Sequence, residues 1–454
     1  LDLGIINRGR FNPDSLTGSQ HFFRDGFWNK KSLILLLLFA LYCQSNHPPS
    51  SVKSIVNPAH LDHLYEQIEV DGRKMALIHI YSDYPDYKWA WETHEGIACV
   101  DDVSRAAIFY TDYYCFSNDT LYLKKISELS EFLLYMQAEN GYFYNFILED
   151  YSINKTYKRS IPIDNWWTWR ALWALSEIYP IMRIEDKMLA ERIWNSLSMT
   201  IDRVLKEYRF NKEFRMVEGF QIPTWLPSDG GSDQGATLVL GLLNYYKYNK
   251  DQKILNLIER LCDGICLMQA GDSLHFPYGA ILSWENNWHA WGSIQSSVLL
   301  KVYQILKKEK YLTSSLLEIN HFYQFLIKEN YACELKLQKE GDRILKLDYK
   351  KAPQIAYGIR PMIYACLEAY QVTSDVKYAT QAGRIASWFF GDNFMQTIMY
   401  YPESGICFDG INADQSINLN SGAESTIEAL LALLAIEQNP HARVRLMECY
   451  LKKN

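Results

Sequence analysis

From about residue 97 onward, apolar positions recur at the three-and-four spacing of amphipathic helices, and the helical segments come in pairs. The pattern predicts helices over residues 101–115 and 121–137, 166–179 and 186–205, 234–248 and 251–268, 288–306 and 312–327, and 357–370 and 374–390, with a last inner helix starting at Ser421. Before the first member of each pair stands a loop rich in aromatic residues and in acids or amides. Six such loops recur at intervals of roughly 55–70 residues, which marks an internal repeat. They are residues 95–102 (EGIACVDD), 164–169 (DNWWTW), 229–234 (DGGSDQ), 285–291 (ENNWHAW), 354–360 (QIAYGIR) and 420–428 (NSGAESTIE). Hairpins of this kind bury their apolar faces by closing into a ring, one helix of each pair inside and the other outside. The expected fold is all-α, an (α/α)6 six-hairpin barrel that gathers the six loops at one mouth.

Ahead of the first hairpin, residues 65–70 and 74–81 alternate around Asp71-Gly72, a turn signal that predicts a short β-hairpin at the barrel entrance. The long loop at 400–419 is expected to fold over the mouth before the sixth inner helix begins. The repeat occupies nearly everything after residue 85, so residues 61–454 read as one domain.

The N-terminus reads as an address. Lys30-Lys31 precede an apolar run at 33–42 (LILLLLFALY) that ends at Cys43. The run is shorter than the ~20 residues of a membrane span and has the length of a signal-peptide core. Cys43 at its end has the look of a bacterial lipoprotein processing site, although Tyr42 is bulky for the position before the cleaved bond. Residues 1–43 are therefore taken as an upstream segment plus signal peptide and 44–60 as a Pro/Ser-bearing tether. The expected location is outside the cytoplasm, on a membrane through lipid.

Composition narrows the partner. The net charge is −7 and no Lys/Arg-rich run is present, which argues against nucleic acid. Aromatic residues reach 14%, and many of them stand in the loops rather than in helix interiors. A monomer that binds an uncharged polar ligand fits these values. Cys99, Cys115, Cys262, Cys266 and Cys366 fall within helical patterns and read as buried thiols. Cys262 and Cys266 are one turn apart but have no further Cys or His spaced to complete a zinc site, so neither metal nor cofactor is expected.

The segments HEGIACVDDVSRA, DNWWTWRALWAL, SDGGSDQGA and SGICFDGINADQSINLNSGAESTIEALLAL, together with the repeat, resemble the six-hairpin glycosidase-like superfamily. The resemblance covers roughly residue 88 to the C-terminus and singles out no one family within the superfamily. It implies a sugar site in the mouth, with carboxylates as the chemical groups.

Sugar rings offer apolar C–H faces edged by hydroxyls, so aromatic platforms beside amides and acids suit them. Trp89, Trp91, Trp166, Trp167, Trp225, Trp288, Trp291 and Tyr357 are the platform candidates. Asp164, Asp229, Gln234, Asn287, His289, Arg360 and Asn420 are the polar ones. Glycoside cleavage needs one carboxylic acid and one carboxylate. Ring closure sets the first inner helix beside the sixth, so Glu95, Asp101 and Asp102 are expected to face Glu424, with Asp233 as a further candidate. Structural roles compete: Ser421 and Glu424 fit a capping box, Asp101 and Asp102 fit pairs with Arg105, and Asp164 and Asp229 fit N-caps. The leading expectation is a glycoside hydrolase acting on an oligo- or polysaccharide. A polysaccharide lyase using His289, Tyr357 and Arg360, or a sugar-binding lipoprotein without turnover, stand as alternatives.

Overall fold

The computed structural model describes residues 54–208 and 213–451. The expected signal peptide, Cys43 and most of the tether lie outside these residues. Twelve helices form six consecutive hairpins: α1 (Val100–Ser117) with α2 (Leu121–Tyr135), α3 (Trp166–Glu185) with α4 (Lys187–Glu207), α5 (Ser232–Asn249) with α6 (Gln252–Leu267), α7 (Gln295–Leu306) with α8 (Glu309–Leu317), α9 (Ala356–Thr373) with α10 (Val376–Ala386), and α11 (Ala423–Glu437) with α12 (Pro440–Leu451). Helix α8 runs on through a π turn at Glu318–Phe322 into Tyr323–Lys328. The odd-numbered helices pack in succession, and α11 packs back on α1. The ring is closed, and the fold is the expected (α/α)6 toroid.

Amphipathicity separates the two layers. Inner helices are buried on nearly every side: in α5 each residue from Ser232 to Tyr245 is buried. Outer helices bury one face only, as α4 does with Leu189, Ile193, Leu197, Ile201 and Val204. The turn between layers also repeats. Helices α1, α5, α7 and α9 each end at a left-handed residue, Asn118, Lys250, Lys307 and Ser374. The N–H of that residue returns to the carbonyl of a tyrosine four positions earlier, Tyr114, Tyr246, Tyr303 or Tyr370. This closes the C-terminus and aims the chain into the outer helix within a few residues.

The predicted β-hairpin is present, Tyr65–Val70 pairing with Arg73–Ile78. Its second strand packs along α2, on the outer layer of the first hairpin. A three-stranded sheet was not expected: Asn287–His289 pairs with Glu334–Glu340, which pairs with Arg343–Lys350. It takes up part of the segment read as the start of the fourth inner helix, so α7 begins at Gln295 instead of 288. The loop expected over the mouth carries two small ladders, Tyr400–Tyr401 with Ile406–Cys407 and Gly410–Ile411 with Ile417–Asn418.

Candidate active site

At the mouth end of the ring, helices α1, α3, α9 and α11 project charged groups toward one another. Asp102, in the first turn of α1, pairs with Arg105 one turn on. Arg105 also reaches α11 through one nitrogen, 3.2 Å from Glu424 Oε2 and 3.0 Å from Glu428 Oε1. Glu428 is held in turn by Arg360 of α9. Asp101 pairs with Arg170 of α3, and the other end of that guanidinium donates to the Tyr357 hydroxyl on α9. The ring of Tyr357 lies 5.0 Å from Arg105 and 5.1 Å from Arg170, close enough for cation–π attraction. Residues more than 300 positions apart thus meet in one network, as the closed ring requires.

Exposure divides the four carboxylates. The side chain of Glu428 is 0% exposed and that of Asp102 5%, while Asp101 keeps 23% and Glu424 45%. Burial alone would raise Glu428, but Arg360 and Arg105 outweigh it and hold the carboxyl below the usual range. Burial pushes Asp102 up against the pull of Arg105. Around Glu424 the walls of the mouth strip away water and raise the pKa, again opposed by Arg105. Burial carries the Tyr357 phenol up to about 12, with Arg170 and Arg105 pulling the other way. One nitrogen each of Arg105 (Nε) and Arg360 (Nη1), and Asp101 Oδ1, are buried without a hydrogen-bond partner.

Local structure explains why these side chains converge. Cys99 caps α1, its thiol accepting from the Asp102 amide at 3.4 Å and donating to the Asp102 carboxylate at 3.2 Å. The capping box weighed as the structural alternative for Ser421 and Glu424 is not formed. Gly422 is the N-cap of α11, and Asp409 from the preceding loop accepts from the Gly422 amide at 2.8 Å and from Ser425 Oγ at 2.6 Å. Glu424 is thereby released to face Arg105. Gly292, at φ 70°, lies directly against the centre: a Cβ there would fall 2.6 Å from the Tyr357 hydroxyl and 3.1 Å from the Trp166 ring.

The other predicted residues fall into three groups. Trp166 opens α3 half-buried with Arg170 5.0 Å from its ring, and belongs to the central cluster. Asp233 and His289 form a separate pair at 3.0 Å, whose ring donates through Nδ1 to the Trp291 carbonyl at 2.8 Å and stacks on Trp291 at 4.1 Å. Gln234 is tied to Ser228 at 3.1 Å, and Asn287 to Glu334 at 3.1 Å. At the rim, Glu95 accepts from Tyr81 at 2.7 Å, Asn420 binds Asp83 at 2.8 Å, and Trp91 is 48% exposed. None of these three joins the central cluster through a hydrogen bond or ion pair.

Several expectations need correction. Trp288 is buried edge-on against Phe322 and is core, not platform. Trp167 donates to the Phe143 carbonyl at 2.7 Å, and Trp225 to that of Arg260 at 3.2 Å, both from buried positions. Arg360 is sealed against Glu428, so it supports the site from behind instead of facing a ligand. Asp164 and Asp229 cap nothing: the N-cap of α3 is Asn165, that of α5 is Gly231, and Asp229 offers its backbone carbonyl to Arg215. Arg170 was not anticipated. A lone arginine inside WWTWRALWAL was the available signal, because a buried cation in an apolar helix demands a carboxylate elsewhere. Among the described residues no group of three or more His, Cys, Asp or Glu is arranged to hold a metal ion. A groove of about 630 Å³ lies on the outer wall between Arg73, Glu131 and Arg192 and contains none of this chemistry.

No protein-family model matches the sequence, and no curated protein matches it. Solved structures do. A cellobiose 2-epimerase from Bacillus thermoamylovorans B4167 superposes with a TM-score of 0.57 at 14% identity, over 90% of this chain and 100% of that one. A D-mannose isomerase gives 0.55 at 11% identity, over 92% and 99%. A family 76 glycoside hydrolase from a bovine Bacteroides thetaiotaomicron strain gives 0.51 at 15%, over 87% and 78%. The fold is the (α/α)6 toroid that these three structures share. Their names stand for different sugar chemistry on one toroid, so the fold by itself chooses no reaction.

Proposed function

We propose that the protein is a glycoside hydrolase in which Glu424 is the general acid and Asp101 the second carboxylate. The observation that carries this reading is the split among the four central carboxylates: only Asp101 and Glu424 keep substantial exposure, and each is held by a different arginine, Asp101 by Arg170 and Glu424 by Arg105. A raised Glu424 suits proton donation to a leaving oxygen, and Asp101, paired with Arg170, suits attack on the sugar carbon or activation of water. Asp102 and Glu428, both buried, act as positioning groups for Arg105. Half-buried Trp166 supplies an apolar face next to them.

Epimerisation or isomerisation instead requires a base free to take a proton from carbon. His289, the imidazole that the mouth loops offer as a candidate base, has both nitrogens engaged, by Asp233 and by a backbone carbonyl, which favours hydrolysis. The test is product analysis on a panel of oligosaccharides, comparing the native protein with Glu424→Gln and Asp101→Asn. New reducing ends that disappear in both variants, with binding retained, support the reading. Full cleavage by both variants removes these residues from the chemistry. An unsaturated product would point to a lyase, a rearranged but uncleaved sugar to an epimerase, and binding without any product to a lectin-like role. Export and lipid attachment at Cys43 belong to the same proposal, resting on the short apolar run before it. Mass spectrometry that finds an unmodified chain retaining residues 1–42 would end that part.

A further inference from the structure

Three guanidinium groups lie in the centre of the mouth, and each has a carboxylate of its own: Arg170 with Asp101, Arg105 with Asp102, Arg360 with Glu428. The fourth carboxylate, Glu424, shares a nitrogen of Arg105 that already serves Glu428 at the shorter distance, 3.0 Å against 3.2 Å. It is also the most exposed of the four, at 45% of its side chain. The two guanidinium nitrogens lacking a partner, Nε of Arg105 and Nη1 of Arg360, are closed off from solvent and present no donor to a ligand. Counted with all four ionised, as they are above the pH at which Glu424 and Asp102 release their protons, the centre carries one negative charge in excess, and the most exposed of the four is Glu424. Protein walls lower the effective dielectric there, so the sign of that charge acts strongly on whatever lies over it.

We propose that the site, read as a sugar site in the sense given above, selects sugars without a carboxylate and binds best a unit that places a protonated amino group beside Glu424. The ammonium would complete the pairing that Arg105 leaves unfinished, with its three N–H donors facing an acceptor-only group. A uronate in the same position would set two carboxylates against each other with no free guanidinium between them.

The probes are methyl glycosides of glucose, glucosamine and glucuronic acid, and the matching galactose series, titrated into the intact protein by calorimetry at low and high salt. Affinity should fall in the order amine, neutral sugar, uronate, with the amine about tenfold ahead of the uronate in dilute buffer. High salt should shrink that gap to about twofold or less. Glu424→Gln, verified as folded by near-UV circular dichroism, should produce the same contraction in dilute buffer. A uronate that binds tightest, or an order that neither salt nor Glu424→Gln alters, would overturn the proposal. Failure of every probe to bind would overturn it together with the sugar site. The expected order in a protein whose Glu424→Gln variant still cleaves would leave it standing and remove only the catalytic assignment.

Discussion

The two ends of the inner ring are built on the same helix faces and yet treat charge in opposite ways. On α1, Asp101 and Arg105 at the mouth are followed by Asp112, two turns further along the same face; on α3, Trp166 and Arg170 are followed by Glu177. The far cluster adds Asn244 from α5, Lys301 and Gln304 from α7, and Glu368 from α9. Its pairs are Asn244 with Glu177 and Lys301 with Glu368, and Gln304 Nε2 donates to Glu368 Oε2 at 3.3 Å. At the mouth, Arg105 reaches Asp102, Glu424 and Glu428, Arg170 reaches Asp101 and Tyr357, and Arg360 holds Glu428, so four carboxylates are served by three cations. At the far end the lysine is a point charge already given to Glu368, and burial together with Glu177 pushes Asp112 up to about 8. Arginine geometry is what lets three cations hold four carboxylates at the mouth and leave two of them open. Tyr364 answers to both clusters: Arg360 lies 5.0 Å from its ring, and burial, with Asp112 adding to it, raises its phenol against the pull of Arg360.

The strongest way to break this contrast is to remove one cation from each end. Arg105→Met strands Asp102 and weakens the hold on Glu428, both buried, and should cost about 3–5 kcal/mol in urea denaturation. Lys301→Met removes a cation that is itself 40% exposed and leaves Glu368 its amide partner Gln304, and should cost less, about 1–2 kcal/mol. Equal losses would mean that the arginine network is no more integral than the lysine pair.

A second comparison concerns turnover. Glu424→Gln should lower sugar cleavage about 100-fold or more, while Asp112→Asn should leave the rate unchanged at neutral pH. Asp112→Asn has its own signature in stability. Because the folded protein holds the Asp112 proton up to about pH 8, whereas the unfolded chain releases it near pH 4, native stability declines as pH rises between those values. The asparagine variant lacks this decline. It should be more stable than the native protein at pH 9, by up to about 5 kcal/mol, with the difference vanishing toward pH 4, as read from urea midpoints across pH. A difference that grows toward acid would reverse the assignment.

The smallest effect separates two tryptophans. Trp166→Ala should weaken sugar binding by about 1 kcal/mol with little change in stability, because the ring is half-buried at the mouth. Trp288→Ala should instead destabilise the fold and leave the affinity of the folded fraction intact, since that ring packs on Phe322.

Sequence periodicity alone determined the architecture. Apolar spacing gave the helix pairs, the recurrence of loops gave six hairpins, and a ring follows because no single hairpin can bury both of its faces. The β-hairpin around Asp71-Gly72 was legible for the same reason, a local turn joining two alternating runs. The strands at Glu334–Glu340 and Arg343–Lys350 carried a comparable signal around Gly341, but it was hidden within a chain otherwise read as helical. Which acids belong to the chemistry was decided only in three dimensions. Asp101 and Asp102 are adjacent in the chain, and nothing local distinguishes them; one finds Arg170 on the neighbouring inner helix and the other Arg105 on its own helix. Glu424 had the spacing of a capping residue, and only Asp409, brought in by the last loop, relieves it of that duty. Periodicity is a property of neighbouring residues and survives in the sequence, whereas the state of a carboxylate depends on which cation the closed ring sets beside it.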